Sequence, residues 1–101
     1  MRKNKYRTVE EVEVDYYMKH PGEIKQYLDA VLEDFQENIN KESFYRSLAI
    51  IAKANGGFAK ISKETGLNRE NLYKALSSKR DPRFSTVIQI FHALGIKLKV
   101  A

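Results

Sequence analysis

Apolar residues recur along most of this chain at the spacing of an α-helix. Ile24, Tyr27, Leu28, Val31, Leu32 and Phe35 fall at i, i+3, i+4, i+7, i+8 and i+11, so they share one side of a helix and leave the acids on the other. His20-Pro21-Gly22-Glu23 supplies its start, since Pro is tolerated in a first turn and Glu suits the positive end of the helix dipole. A second helix is predicted from about Lys41 to Asn55, burying Phe44, Leu48, Ile51 and Ala52. Gly56-Gly57 ends it, because a Gly just past a helix adopts the left-handed conformation at little cost. A third, short helix covers about Phe58 to Glu64, with Phe58, Ile61 and Ser62 inward, and stops at Thr65-Gly66-Leu67. Asn68 is a good N-cap for a fourth, Arg69 to about Ser77, whose buried stripe is Leu72, Ala75 and Leu76. After the polar loop Ser78-Lys79-Arg80-Asp81-Pro82, a fifth helix from about Phe84 to Leu94 buries Phe84, Val87, Ile88, Phe91 and Leu94, and Gly95 closes it.

The two ends follow other patterns. Ile96-Lys97-Leu98-Lys99-Val100 alternates apolar and basic residues, a strand pattern with Ile96, Leu98 and Val100 on one face. A lone strand is not stable in water, so this one needs a partner. Residues 1–20 show no sustained period; Val9, Val12, Val14, Tyr16 and Tyr17 fit a short strand or a mobile segment. The expectation is therefore an all-α domain of five helices over 21–101, with a short C-terminal strand and an N-terminal arm over 1–20.

Composition narrows the function classes. At 101 residues, 43% hydrophobic, the chain has length for one core and no second binding module. It contains no Cys, which excludes disulfides and thiolate metal sites and favours a reducing, cytoplasmic setting. The longest apolar run, Leu48-Ala49-Ile50-Ile51-Ala52, falls far short of a membrane span, and the basic start Met1-Arg2-Lys3-Asn4-Lys5 is not followed by the apolar stretch of a signal peptide. The net charge of +5 matters less than its placement. Glu23, Asp29, Glu33, Asp34, Glu37 and Glu42 face only Lys25 and Lys41 between residues 23 and 42. Lys53, Lys60, Lys63, Arg69, Lys74, Lys79, Arg80 and Arg83 outnumber Glu64, Glu70 and Asp81 between 53 and 83. One half repels phosphate; the other attracts it.

The basic half also carries the motif. Two short helices joined by a three- or four-residue turn containing Gly match a helix-turn-helix, here Ile61-Ser62, Gly66-Leu67, Leu72 and Ala75. Ser62 is small enough for the helices to cross closely, Gly66 permits the turn, and Leu67, Leu72 and Ala75 pin the second helix to the core. Its free face then presents Arg69, Glu70, Asn71, Tyr73, Lys74 and Ser77. In a major groove Arg69 and Lys74 suit guanine O6 and N7 as donors, and Glu70 suits cytosine N4 as an acceptor. Lys60, Lys79, Arg80 and Arg83 lie at helix ends and in loops, where side chains meet phosphates and set register. Any compact helical pair can show this spacing, and a solvated helix face is the rival reading for each residue.

Lys63-Glu64-Thr65-Gly66-Leu67-Asn68-Arg69-Glu70-Asn71-Leu72-Tyr73-Lys74-Ala75-Leu76-Ser77, then Pro82-x-Phe84-x-Thr86-Val87 and Leu94-Gly95-Ile96-Lys97-Leu98, closely resembles the addiction-module antidote family, Cro/lambda-repressor-like helix-turn-helix proteins of bacterial type II toxin–antitoxin modules. The resemblance is specific over about 56 to 100 and looser over 22 to 35. It implies a homodimer that represses its own operon at an operator in double-stranded DNA, and a toxin partner resembling the RelE/ParE superfamily. It also places Arg69, Glu70, Tyr73, Lys74 and Ser77 on base-facing positions and Asn68 at the helix cap near phosphate; Asn71, Lys60, Lys79 and Arg80 are then the backbone set. The sequence differs from repressor-like motifs at Phe58, where a Gln is common, and in its more basic loop Ser78-Lys79-Arg80-Asp81.

A single recognition helix touches too few base pairs to be specific, so a dimer is expected, with Ile96, Leu98 and Val100 and one face of the last helix at the contact. The alternative is that this tail packs within its own chain. The toxin contact is expected within residues 1–40, whose acids suit a basic, RNA-handling partner. Two other functions stay open at this point. A stand-alone phage or chromosomal repressor differs only in lacking a neighbouring toxin gene, and a helical protein–protein adaptor differs in failing to shift DNA at low salt. An enzyme is disfavoured: His20 and His92 have no partner at metal spacing, and no cofactor is called for by a phosphate-binding loop or nucleophile elbow.

Overall fold

A computed structural model describes the protein over residues 7–77 and 81–100. Among these residues it is all helical: α1 Val9–Lys19, a 3-10 turn Pro21–Glu23, α2 Ile24–Glu37, α3 Lys41–Ala54, α4 Gly57–Thr65, α5 Arg69–Ala75 and α6 Phe84–Ala93. The five helices expected from periodicity are α2 to α6, and α1 is an addition.

α3 is the central element. Leu48 and Ile51 have no exposed surface, and around them Leu28 of α2, Phe58 and Ile61 of α4, Leu72 of α5 and Ile90 and Phe91 of α6 close one core. Phe44 holds two sides of it together, stacking on Phe35 of α2 (centroids 4.3 Å apart) and meeting Phe91 edge-on at 6.4 Å. The expected stripe of α2 is present, with Ile24 and Leu28 buried and Tyr27, Val31, Leu32 and Phe35 half-buried against the core.

The segment 9–19 is a helix and not a strand. Thr8 accepts a hydrogen bond from the Glu11 N–H (3.0 Å), and the Glu11 carboxylate accepts from the Thr8 N–H (2.9 Å), which is a full capping box. The helix lies on the outer side of α3 and turns Glu10, Glu13, Val14 and Tyr17 partly inward, at i, i+3, i+4 and i+7. Two of those four are acids, and Glu10 is ion-paired to Lys53 of α3. An apolar count therefore sees no helix there, whereas Val12, Val14 and Tyr16 imitate the alternation of a strand. Thr8→Ala should remove the cap and cost about 1 kcal/mol. Hydrogen exchange should register this as faster exchange at Glu11 and its neighbours, with α4 and α5 unchanged.

The C-terminal segment 96–100 forms no strand, and the described residues contain no strand that could pair with it. Gly95, at φ 80°, closes α6 instead: the Ile96 N–H donates to the Phe91 carbonyl (2.9 Å) and the Gly95 N–H to the His92 carbonyl (3.0 Å). This cap turns Ile96 back onto its own core, while Leu98 and Val100 stay exposed. α6 also buries a different stripe from the one expected. Ile90, Phe91 and Leu94 are buried, Val87 and Ile88 are half-buried, and Phe84 is 76% exposed. Apolar residues surround much of this helix, so two stripes satisfied the same period.

Candidate nucleic-acid interface

α4 and α5 are joined by the three residues Gly66-Leu67-Asn68, and each does a local job. Gly66 sits at φ 80°, in the left-handed region, and its N–H donates to the Ser62 carbonyl (2.9 Å). The Ser62 hydroxyl donates to the Leu67 carbonyl (2.5 Å), and the Thr65 hydroxyl donates to the Ile61 carbonyl (2.8 Å) while accepting from the Leu67 N–H (3.1 Å). Ser62 thus fastens the turn as well as being small. Asn68 accepts from the Asn71 N–H (2.7 Å) and starts α5. Gly66→Ala tests the turn: an added Cβ would meet nothing within 4 Å, so the penalty is backbone strain alone, roughly 1–2 kcal/mol. Urea unfolding should show a lower midpoint with an unchanged slope.

α5 is only seven residues long, ending at Ala75 instead of about Ser77. Its inner side is buried at Leu72, Ala75 and Leu76. Arg69, Glu70, Asn71, Tyr73, Lys74 and Ser77 are all exposed, as the spacing requires. The structure divides this row. Glu70 and Lys74 face each other at 3.8 Å as an exposed ion pair, the kind that contributes little and yields readily to another partner. Tyr73 meets the buried Phe58 edge-on at 4.5 Å, so the aromatic ring that stands where repressor-like motifs often carry Gln props the tyrosine from below. Tyr73 and Ser77 also border a groove of about 280 Å³ whose other wall is Glu42, Arg46, Ala49 and Lys53 of α3, with Glu10 of α1 at its end. Arg46, exposed and lining the same groove as Tyr73 and Ser77, is a basic neighbour of the row that the sequence did not single out, because only the tertiary structure brings it there.

The backbone set is spread more widely. Lys60 is exposed on α4, and its aliphatic stem lies over Gly56, where an added Cβ would collide with it. Asn68 and Asn71 flank the start of α5. Lys79 and Arg80 lie outside the described residues. Just past them, Asp81 is ion-paired to Lys41 at the start of α3 (2.9 Å). Beneath that pair, burial pushes the Tyr45 phenol above its ordinary range, the Asp81 carboxylate adds to the shift, and Lys41 opposes it. The dimer set is not one surface: Ile96 is half-buried in its own chain, and Leu98 and Val100 are exposed beyond it. No group of His, Asp or Glu suited to a metal ion occurs among the described residues, and no helix there is long and apolar enough to cross a membrane.

Comparison with known proteins places this arrangement. Residues 8–101 match the family described as "probable addiction module antidote protein", so the match includes α1 as well as the helical pair. A protein of Haemophilus influenzae strain Rd, described only as an uncharacterized protein, is 33% identical over 92 residues, covering 91% of this chain and 90% of that one. No solved structure matches. With residues 8–101 matched and a relative 33% identical over 91% of its length, the chain belongs to the addiction-module antidote family.

Proposed function

We propose that this protein is the antitoxin of a bacterial type II toxin–antitoxin module, binding operator DNA as a homodimer to repress its own operon and neutralising a RelE/ParE-like toxin by direct contact. Family membership supports the antidote role. The DNA-binding part rests on one observation: α5 is pinned by Leu72, Ala75 and Leu76 and presents an exposed polar row on the other side. A rod of about 10 Å diameter fits the major groove, which is about 12 Å wide. Arg69, Glu70, Tyr73, Lys74 and Ser77 then face base edges. Lys60, Asn68, Asn71, Lys79 and Arg80 face phosphates, and the side-chain N–H₂ of Asn68 remains free to donate while its oxygen caps the helix.

The dimer follows from the small size of one such footprint. Leu98 and Val100 past the end of α6, with the half-buried Ile96 and a face of α6 that includes the exposed Phe84, are the apolar residues it would bury. Selection of bound sequences from a random duplex pool tests both halves of the reading. A palindromic consensus with half-sites roughly 34 Å apart is the expected result. An unenriched pool at low salt would rule out operator binding, and a monomer in sedimentation at micromolar concentration would rule out the dimer.

A further inference from the structure

We propose that the cleft between α2 and α3 is where the toxin docks, and that it receives an arginine side chain of that basic partner. The proposal rests on the antitoxin reading above and adds the surface and the chemistry of the contact. The cleft measures about 170 Å³, room for one long side chain. Phe35, half-buried and stacked on the buried Phe44 with ring planes within 17° of parallel, lines it together with Tyr27, and Asp34 stands exposed at its rim. A guanidinium is the group that suits both features, since its planar face lies against aromatic rings and its edge forms two hydrogen bonds to a carboxylate.

Two further observations favour that occupant. The outer side of α2 is exposed at Asp29, Glu33, Asp34 and Glu37, with only Lys25 of opposite sign on the helix, so a basic partner is attracted and a phosphate backbone is repelled. Asp34 and Glu37 also sit in the last turn of α2, which has no basic residue; acids there oppose the helix dipole, so folding alone does not call for them. The cleft is also clear of the DNA-facing row. Ser43, Phe44 and Ser47 line it from one side of α3, whereas Glu42, Arg46, Ala49 and Lys53, on another side of that helix, border the groove beside α5. Toxin and operator can therefore be held together.

The test uses the full-length protein and the purified product of the reading frame adjacent to its gene, with affinity measured by calorimetry. Asp34→Lys should weaken binding about 30-fold or more, and Ala30→Trp, which fills the cleft from its exposed rim, should do likewise. Operator retention should not change in either variant. Asp34→Lys should raise the melting temperature slightly, because a lysine suits the end of α2, so its loss of binding is not loss of fold. Reversing one arginine of the partner to aspartate should restore binding to Asp34→Lys alone. If the unaltered protein binds and both variants bind within about threefold of it, the cleft is not the docking site and the antitoxin reading stands. If the unaltered protein does not bind the neighbouring product at all, the antitoxin reading fails and this proposal fails with it.

Discussion

Removing the two cations of α5 together, as Arg69→Ala with Lys74→Ala, should abolish specific operator retention while leaving the fold intact. Each well-placed donor pair to a base is worth about 1–3 kcal/mol of discrimination, so the double variant loses about 2–6 kcal/mol per subunit, or roughly 30-fold to more than 10⁴-fold in affinity. Neither side chain is buried, and among the described residues the only ion pair of either is the exposed Glu70–Lys74 contact, so unfolding should shift by less than about 0.5 kcal/mol. The comparison that gives the experiment its edge is Lys60→Ala. A phosphate contact on α4 should weaken binding to all sequences alike and lower the salt slope by about one. The double variant on α5 should instead flatten the preference between operator and random DNA. Equal retention of the two by wild type and double variant would show that α5 is a solvated surface helix.

The helical pair and its turn were legible because short-range rules decide them. Gly66, Asn68 and the spacing of Leu72, Ala75 and Leu76 each constrain only a few neighbouring residues, and each is found in the expected role. α1 escaped the same reading because its half-buried side mixes Glu10 and Glu13 with Val14 and Tyr17, and the favourable partner of Glu10 is Lys53, 43 residues away. The signal present in the sequence was Thr8 followed by Glu11, a cap that holds whether or not the helix is amphipathic. The tail misled in the opposite sense. Its alternation is real, but the cap at Gly95 sends Ile96 inward and no strand stands ready to pair with the rest among the described residues. Phe84 and Arg46 illustrate what periodicity cannot supply: the exposure of one and the place of the other beside Tyr73 depend on how helices distant in sequence meet.

That dependence makes a core residue a sharper probe of DNA binding than its position suggests. Leu72 is fully buried and faces away from the polar row, yet Leu72→Ala should weaken operator retention beyond what its loss of global stability explains. A buried Leu→Ala change costs roughly 2–5 kcal/mol, against a total of about 5–15 kcal/mol for a domain of this kind, so the melting temperature should fall by roughly 10–30 °C. Leu48→Ala, at the equally buried centre of α3, should cost a similar amount. The two differ in what comes loose. Seven residues cannot hold a helix in water by themselves, so α5 exists because its inner side is anchored, and Leu72 is the deepest of its anchors. At a temperature where circular dichroism shows both variants folded, Leu48→Ala should retain operator nearly as the wild type does, and Leu72→Ala should retain it at least about tenfold less, with faster amide exchange confined to α5. If the two variants bind alike when matched for fraction folded, α5 does not need this anchor to present its polar row, and core packing is not coupled to that side of the helix.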